Sequence, residues 1–247
     1  MSHIFVGVGG WTYAPWRGGV FYPKGLPQQR ELAFAAANLT SIEINGTFYR
    51  LQSAEDFRRW AAESPETFVF SVKAHRAAAG RRKLAEAGEV VERFLASGLT
   101  QLGSRLGPIL WQLPPTKIFD AEDLGAFLNL LPERADGLRL RHALEVRHAS
   151  FQDPRFAAML RERNVALCAT DSPKYPHFDE ETADFAYLRL QNAVTSRKTG
   201  YASRDLDLWA ERLKVRAAAC ACFVYFIDGA KERAPAAARA LIERLTI

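Results

Sequence analysis

The 247-residue sequence is poor in sulfur, with three cysteines and two methionines. Cys168, Cys220 and Cys222 cannot all pair within one chain, and none has the Cys-x-x-Cys spacing of zinc or redox sites. All three lie in apolar, strand-like runs. This excludes a disulfide-rich scaffold and favours buried, reduced thiols in a reducing compartment.

Long hydrophobic runs are also absent. No stretch of 18 consecutive apolar residues occurs, so the sequence predicts no transmembrane helix. The amino-terminal sequence MSHIFVGVGGW lacks the basic region, long apolar stretch and cleavage site of a secretory signal. We therefore expect a soluble, cytoplasmic protein that does not associate with a membrane.

The sequence has no excess of acidic residues, because 33 Lys and Arg residues outnumber 28 Asp and Glu residues. The net charge of +5 and the isoelectric point near 9.2 favour anionic partners such as phosphates, carboxylates or nucleic acid. The basic residues are scattered, and the one short cluster is Arg81, Arg82 and Lys83. Such a cluster is more often solvated surface than a nucleic-acid site.

The sequence does contain a regular alternation of two periodicities. Eight apolar or alternating segments recur at intervals of about 20 to 40 residues, and several are followed by a helical period. The segments lie near residues 4–9, 41–48, 67–74, 107–113, 143–148, 165–170, 185–191 and 222–227. The helical stripes include Leu124, Phe127, Leu128 and Leu131, and later Ala238, Leu241, Ile242 and Leu245. This alternation predicts an α/β protein with a parallel sheet.

The length favours closure of that sheet. A TIM-like (β/α)8 barrel typically has about 250 residues, so we predict a single barrel domain over residues 1–247. An open, doubly wound sheet is the alternative. Two connections are irregular: residues 172–184 are too short for a full helix, and residues 192–203 form a long polar loop before a helix beginning near Arg204.

Several motifs resemble those of a known family. They are GVGGWTYAPWRGGVFYP (Gly7–Pro23), EINGTFYR (Glu43–Arg50), FSVKA (Phe70–Ala74), LGPILWQLPP (Leu106–Pro115), LEVRH (Leu144–His148), the turn Asp171-Ser172-Pro173 and AYLRL (Ala186–Leu190). In this order, over almost the whole chain, they resemble the YecE-like family, domain of unknown function 72. The resemblance implies a TIM-like barrel and no established activity.

Some positions depart from the usual pattern of that family. A serine that normally precedes the Gly-Trp pair is Gly9 here, and the His-Gly after the seventh strand is Gln191-Asn192. The Asn-rich turn after the eighth strand is Ile227-Asp228, and AHRAAAG replaces a Thr-His after the third. These departures leave open a divergent member with an altered or lost reaction.

In such barrels the functional residues lie at the carboxyl ends of the strands and in the loops that follow. This rule selects Glu43 and Glu145 as catalytic candidates. It selects as substrate-binding candidates Trp11, Asn45, Tyr49, Lys73, Gln112, Arg147, Asp171 and Arg189. The charged residues within the strands are costly to bury unless they are paired. They either share a polar pocket or form a salt-bridged network that fills the barrel without chemistry.

The pocket interpretation gives each candidate a role. Glu43 and Glu145 divide the acid and base roles, one kept ionised by arginine and the other with a pKa raised by burial. Charge is bound by Lys73, Arg147 and Arg189. Asn45 and Gln112 orient the ligand, and Trp11 and Tyr49 stack on it. A desolvated Lys73 could also form a Schiff base, although a lone strand lysine is more often a counter-ion.

The sequence specifies no metal site and leaves the cofactor open. Glu43, Glu145, His148 and Asp171 are conceivable ligands, but no HxH, HExxH or clustered Cys-His spacing supports them. Gly7, Gly9 and Gly10 are followed by aromatic residues and prolines rather than by a helix, which disfavours a dinucleotide loop.

These observations favour an enzyme that acts on a small, polar, anionic compound, phosphorylated or sugar-like, by acid-base chemistry. One alternative is a nucleic-acid-processing or nucleic-acid-binding protein, suggested by the positive charge and the aromatic residues beside basic side chains. The other is a non-catalytic small-molecule binding protein built on a degenerate barrel. The sequence does not specify an oligomeric state.

Overall fold

Eight parallel strands close into a barrel in the structure, a computed structural model that describes residues 4–246. Residues 4–246 contain ten strands, eight of them in the barrel. They are β1 (Ile4–Gly9), β2 (Ser41–Ile44), β3 (Val69–Lys73), β4 (Leu106–Gln112), β5 (Arg134–Ala135), β6 (Leu138–Arg139), β7 (His142–Glu145), β8 (Val165–Thr170), β9 (Phe185–Leu190) and β10 (Ala221–Phe226). The barrel order is β1-β10-β9-β8-β7-β4-β3-β2, and β2 pairs back with β1. β5 and β6 form a separate antiparallel ribbon. The predicted TIM-like barrel is confirmed, and each predicted segment overlaps one barrel strand.

Helices alternate with the barrel strands along most of the chain. They are α1 (Glu31–Asn38), α2 (Gly46–Tyr49), α3 (Ala54–Ala62), α4 (Arg76–Ala79), α5 (Gly88–Leu95), α6 (Ala121–Asn129), α7 (Pro154–Glu162), α8 (Ser203–Ala217) and α9 (Ala234–Thr246). Local signals begin them: Ser53 and Asp56 form a capping box before α3, and Asp120 caps α6. Within residues 4–246, no helix combines the length and the apolar character needed to span a membrane.

The two irregular connections follow the sequence prediction. No helix lies between β8 and β9, and Thr182 fastens this connection to β8 through hydrogen bonds with Leu167 N and Val165 O. The long polar loop leads into α8, which begins at Ser203, beside the predicted Arg204. Tyr201 anchors this loop by donating a hydrogen bond to Asp171 at 2.8 Å.

The barrel interior changes from apolar to polar along the strands. At the amino-terminal end, the rings of Phe5 and Phe223 stack with centroids 5.0 Å apart. Further along, the hydroxyl of Tyr225 lies 2.7 Å from that of Ser41 and 2.6 Å from that of Ser71. The inward positions nearest the carboxyl ends are therefore those available to charged side chains.

The cysteines carry free thiols in the described structure. Cys168 and Cys222 are buried, as predicted, whereas Cys220 is only half-buried. Burial raises the pKa of all three thiols, that of Cys222 to about 12. Because the thiolate is the reactive form, all three are poor nucleophiles at neutral pH.

Gly7 sets the spacing between the first two strands. It pairs in register with Ser41, and a Cβ atom at Gly7 would overlap the Ser41 carbonyl group. A residue without a side chain is required where two backbones approach so closely.

We expect Gly7→Ala to lower the free energy of unfolding by about 1–3 kcal/mol, because the added methyl group overpacks the barrel wall. Urea unfolding monitored by circular dichroism measures the change. Gly46→Ala is the matched control, because a Cβ there meets only the Gln52 amide at 3.6 Å. Equal stability of the two variants would contradict this account of β1 and β2.

Candidate functional site

A buried ion-pair network occupies the barrel interior near the carboxyl ends of the strands. At its centre is Arg189 of β9, which is 1% exposed. Its Nε and Nη2 atoms donate to the two oxygens of Glu43, each at 3.0 Å. Its Nη1 atom donates to Glu145. One guanidinium therefore holds two carboxylates, one of them in the planar bidentate geometry that arginine favours.

The two carboxylates also accept hydrogen bonds from other side chains. Glu43 accepts a hydrogen bond from the Tyr187 hydroxyl at 2.8 Å, and Glu145 accepts one from Arg147 Nε at 2.6 Å. Each of the four carboxylate oxygens thus has at least one donor. Satisfaction of this kind is what allows charges to remain buried.

Side-chain alternation explains why residues from distant parts of the chain meet here. Glu43 lies in β2, Glu145 ends β7 and Arg189 lies in β9, each at an inward position. Tyr187 precedes Arg189 by two residues and shares its face. The sequence had selected both carboxylates and the arginine because charged residues within covered strands need partners, and the structure brings them together.

The two arginines keep Glu145 ionised. Burial acts to raise its pKa, but the charges of Arg189 and Arg147 outweigh burial, so the pKa of Glu145 is lower than usual. The two carboxylates in turn outweigh the burial of Arg189 and raise its pKa. Glu145 is therefore a fixed negative charge at neutral pH rather than a proton donor. Of the two predicted roles, it fits the carboxylate that arginine keeps ionised and not the acid whose pKa is raised by burial.

Lys73 lies beside the network but outside its hydrogen bonds. It ends β3, is 8% exposed, and its Nζ atom lies 4.0 Å from the centroid of the Phe48 ring. The ammonium makes no hydrogen bond or ion pair with any residue from 4 to 246. Burial and the charge of Arg189 lower the pKa of Lys73 to about 8, although Glu43 and Glu145 partly offset them. Lys73 is thus able to exchange a proton near neutral pH.

Two predicted amide residues border this region. Gln112, which ends β4, accepts a long hydrogen bond of 3.5 Å from Arg189 Nη1 through its oxygen. Asn45 follows β2, and a Cβ built at Gly9 would lie 2.5 Å from its Nδ2 atom and 3.0 Å from Ile227 Cδ1. Gly9, a position that departs from the family pattern, therefore adjoins both Asn45 and Ile227, a second such position. A side chain at Gly9 would displace the amide.

The two predicted stacking residues make other contacts. The Trp11 indole packs edge-on against Trp60 and Phe70, with centroids 5.1 and 6.5 Å away. Tyr49 is 67% exposed and packs edge-on against Phe48 at 5.1 Å. The indole thus belongs to the packing of the loop after β1, while Tyr49 stands in solvent beside the ring that covers Lys73.

Asp171 anchors loops rather than joining the network. Its carboxylate accepts hydrogen bonds from the backbone N–H of Gln191 at 2.5 Å and from the Tyr201 hydroxyl at 2.8 Å. Burial raises the pKa of Asp171. Among residues 4–246, no three His, Cys, Asp or Glu side chains are grouped to hold a metal ion, and Asp171 does not join the two network glutamates.

Three aromatic residues of the site were not selected from the sequence. Tyr187 supports Glu43, Phe48 covers Lys73, and the Tyr175 ring lies 4.5 Å from the Arg147 guanidinium. Alternation from Arg189 would have identified Tyr187. Tyr175 lies in the helix-free connection between β8 and β9, where no periodicity indicates the direction of a side chain.

Family comparison agrees with the motifs of the sequence. The family model described as "Protein of unknown function DUF72" matches residues 5–247. The chain belongs to the DUF72 family. The UPF0759 protein YunF of Bacillus subtilis is 28% identical over 158 residues, which are 62% of this chain and 54% of YunF. The UPF0759 protein YecE of Escherichia coli K12 is 28% identical over 151 residues, 60% of this chain and 50% of YecE. This DUF72 chain spans about half the length of these curated relatives.

Solved structures of DUF72 proteins have the same fold. A DUF72 family protein from Enterococcus faecalis V583 superposes with a TM-score of 0.78 at 16% identity, covering 99% of this chain and 96% of that one. One from Thermotoga maritima MSB8 gives 0.78 at 22% identity, covering 97% and 96%. Since the identities are low, the likeness establishes the barrel of this DUF72 protein and not its chemistry.

Arg189→Met tests the network in this DUF72 barrel. Removing the guanidinium leaves two buried carboxylates without their main partner, so we expect a loss of about 3–5 kcal/mol in the free energy of unfolding at pH 7. The difference from wild type should narrow as the pH falls, because the variant protonates its carboxyls and the wild type loses the contribution of ionised Glu145. Urea unfolding at several pH values measures both.

Arg59→Met is the control for this substitution. Arg59 pairs with Asp56 at 2.7 Å, but its side chain is 56% exposed, so its loss should cost less than about 1 kcal/mol. Similar effects of the two substitutions, or a difference that does not depend on pH, would show that Arg189 is not the central charge.

Lys73→Met should stabilise the protein. Because the pKa of Lys73 is lowered to about 8, holding the ammonium in place at pH 7 opposes folding, and an uncharged side chain should raise the free energy of unfolding by about 1–3 kcal/mol. The advantage should shrink from pH 8 toward pH 10.5. Over that range the unfolded chain binds more protons than the folded one, so wild-type stability rises with pH.

Lys214→Met, on the exposed side of α8, should change the stability by less than about 0.5 kcal/mol at every pH. Urea unfolding of both variants between pH 7 and 10 makes the comparison. A destabilised Lys73→Met protein would mean that the ammonium has a stabilising partner.

Proposed function

We propose that this DUF72 protein binds a small, polar, anionic molecule at the carboxyl end of its barrel and acts on it by acid-base chemistry. The observation that carries the proposal is Lys73, a residue that is only 8% exposed and whose ammonium has no anionic partner among the described residues. A phosphorylated or sugar-like compound has the required charge and polarity.

Charge balance supports an anionic ligand. Glu43 and Glu145 supply two negative charges, whereas Lys73, Arg147 and Arg189 supply three positive ones, so the site holds one positive charge in excess. Both carboxylates are paired with arginines, so Lys73 is the cation of this group that has no carboxylate partner. In a poorly solvated region such a charge attracts an anion strongly.

Unused hydrogen-bond donors lie at the ends of β2 and β4, the two strands that flank β3 and its Lys73. The Asn45 amide and the Gln112 Nε2 atom donate to no other residue in the described part of the chain. Both side chains are partly exposed, at the ends of β2 and β4. Pockets for small molecules typically combine one charged group with a few such donors, which fix the orientation of the ligand.

Lys73 is the group best suited to move a proton. An acid or base works best when its pKa is close to the operating pH, and the pKa of Lys73 is about 8. Glu145 is held as a carboxylate by Arg189 and Arg147. We therefore assign proton exchange to Lys73 and a charge-holding role to the glutamates that were selected from the sequence as acid and base.

The nucleic-acid alternative has less support. The run Arg81–Lys83 lines a cavity of about 900 Å³ between the connections that follow β3 and β4, and Asp120, Glu122 and Asp123 line the same cavity. A backbone-binding surface needs several basic side chains without such neighbours. The lone positive charge at Lys73 fits a small anion better.

Anion-dependent stability tests the proposal. Inorganic phosphate and small sugar phosphates should raise the Tm of the wild type. At a ligand concentration of 100 times the Kd, binding should add about 2.7 kcal/mol to the free energy of unfolding. Lys73→Met should lose this response, because the charge that attracts the anion is gone. Differential scanning fluorimetry at constant ionic strength measures it, with Lys214→Met as the variant that keeps the response.

Turnover separates an enzyme from a binding protein. Phosphorus and proton NMR of incubations with the stabilising compounds should show conversion by the wild type and none by Lys73→Met. Stabilisation without conversion would support the non-catalytic alternative. An equal Tm response in wild type and Lys73→Met would overturn the assignment of the site.

A further inference from the structure

Two lysines with buried side chains differ in what surrounds their nitrogen atoms. Lys117 is 10% exposed, forms an ion pair with Asp123 at 2.6 Å and donates to the Arg82 carbonyl at 2.7 Å. Lys73 is about as buried but has only the face of the Phe48 ring at 4.0 Å. Lys117 is thus a counter-ion, while Lys73 has no such role.

The carboxylates of the network do not supply that role in the structure, because neither forms an ion pair with Lys73. Glu43 is occupied by Arg189 and Tyr187, and Glu145 by Arg189 and Arg147. The ring of Phe48 attracts an ammonium, but it supplies neither the full negative charge nor the strong hydrogen bond of a carboxylate. A lysine placed in this way at the end of a barrel strand is available for reaction rather than for stability.

We infer that the Nζ atom of Lys73 is a nucleophile that forms an imine with the carbonyl group of a small anionic aldehyde or ketone. The inference rests on the proposed function for the anionic part of the substrate and adds the reacting group. The anion and the carbonyl then belong to one molecule, which a carboxylated or phosphorylated carbonyl compound provides.

The reaction balances without a further reagent. The ammonium first releases a proton to the solvent, and the lone pair of the free amine attacks the carbonyl carbon. A C–N bond forms as the C=O π bond breaks, and the oxygen that receives the π electrons takes a proton from the attacking nitrogen. The resulting hydroxyl group takes up the proton released at the start and leaves as water. Ammonium plus carbonyl therefore gives iminium plus water, and the site keeps the same positive charge beside the anionic group.

The surroundings of Lys73 favour this sequence of steps. Burial and Arg189 lower the pKa of the amine to about 8, so a substantial fraction is uncharged at mildly alkaline pH. The charges of Glu43 and Glu145 act on the Lys73 ammonium and would stabilise the iminium charge in the same way. A protonated imine withdraws electrons from the adjacent carbon, which makes a proton or a carbon substituent there easier to remove.

Reductive trapping tests the inference. The purified full chain is incubated with glyoxylate, a small anionic aldehyde, and sodium cyanoborohydride, and the modified lysines are located by peptide mass spectrometry. We expect Lys73 to be modified about tenfold faster than Lys117, and the rate to rise with pH through about 8. Preferential modification of Lys231, whose Nζ lies 4.7 Å from the Tyr13 ring centroid, would overturn the assignment to Lys73.

Two variants distinguish the nucleophilic amine of Lys73 from its positive charge. Lys73→Arg keeps a positive charge but cannot form the imine, so it should lose the modification at this position and retain stabilisation by phosphate. Lys73→Met should lose both. Modification of Lys73 no faster than that of exposed lysines would overturn the inference, while phosphate stabilisation that depends on the charge would leave the proposed function standing.

Acetaldehyde provides the uncharged comparison. If glyoxylate modifies Lys73 faster than acetaldehyde does, relative to the exposed lysines, the anionic group contributes as proposed. Equal relative rates with both reagents would support the nucleophile and contradict the anion site. Failure of the imine inference can therefore be distinguished from failure of the proposed anion site.

Discussion

The bond between the Arg189 guanidinium and the Glu43 carboxylate determines how the polar half of the barrel is organised. Two parallel hydrogen bonds of 3.0 Å join β9 to β2 across the interior, and the third nitrogen of the same group joins β9 to β7. Charges so deeply buried persist only while all of them are satisfied. Tyr187 and Arg147 donate the further hydrogen bonds that the two glutamates accept. Lys73 is the nearby charged residue that takes no part in these hydrogen bonds.

This arrangement separates structural charge from reactive charge. Glu145 and Arg189 stay ionised because each holds the other, so their charges are fixed at neutral pH. Lys73 lies beside these charges without a partner, and its pKa near 8 reflects this position. The same two glutamates would be natural acid-base candidates in a barrel where no arginine saturated them.

Much of the fold and part of the site could be predicted from the sequence. Strands are predictable because buried parallel strands form short apolar runs, and an inward charge such as Glu43 or Arg189 interrupts those runs at a recognisable position. Which cation pairs with which carboxylate depends on three strands that meet only in the closed barrel. The contacts of Trp11 and Asp171 could not be predicted, because Trp60 and Tyr201, which hold them, come from distant segments without a shared period.

The small space at Gly9 limits which side chains can occupy the end of β1. Asn45 and Ile227 fill the volume that a side chain at Gly9 would need, yet none of the three takes part in the hydrogen bonds of Arg189. Substitutions at these positions would therefore leave the hydrogen bonds of the ion-pair network unbroken. A side chain at Gly9 would thus change the surroundings of Asn45 while leaving the buried charges of the barrel in place.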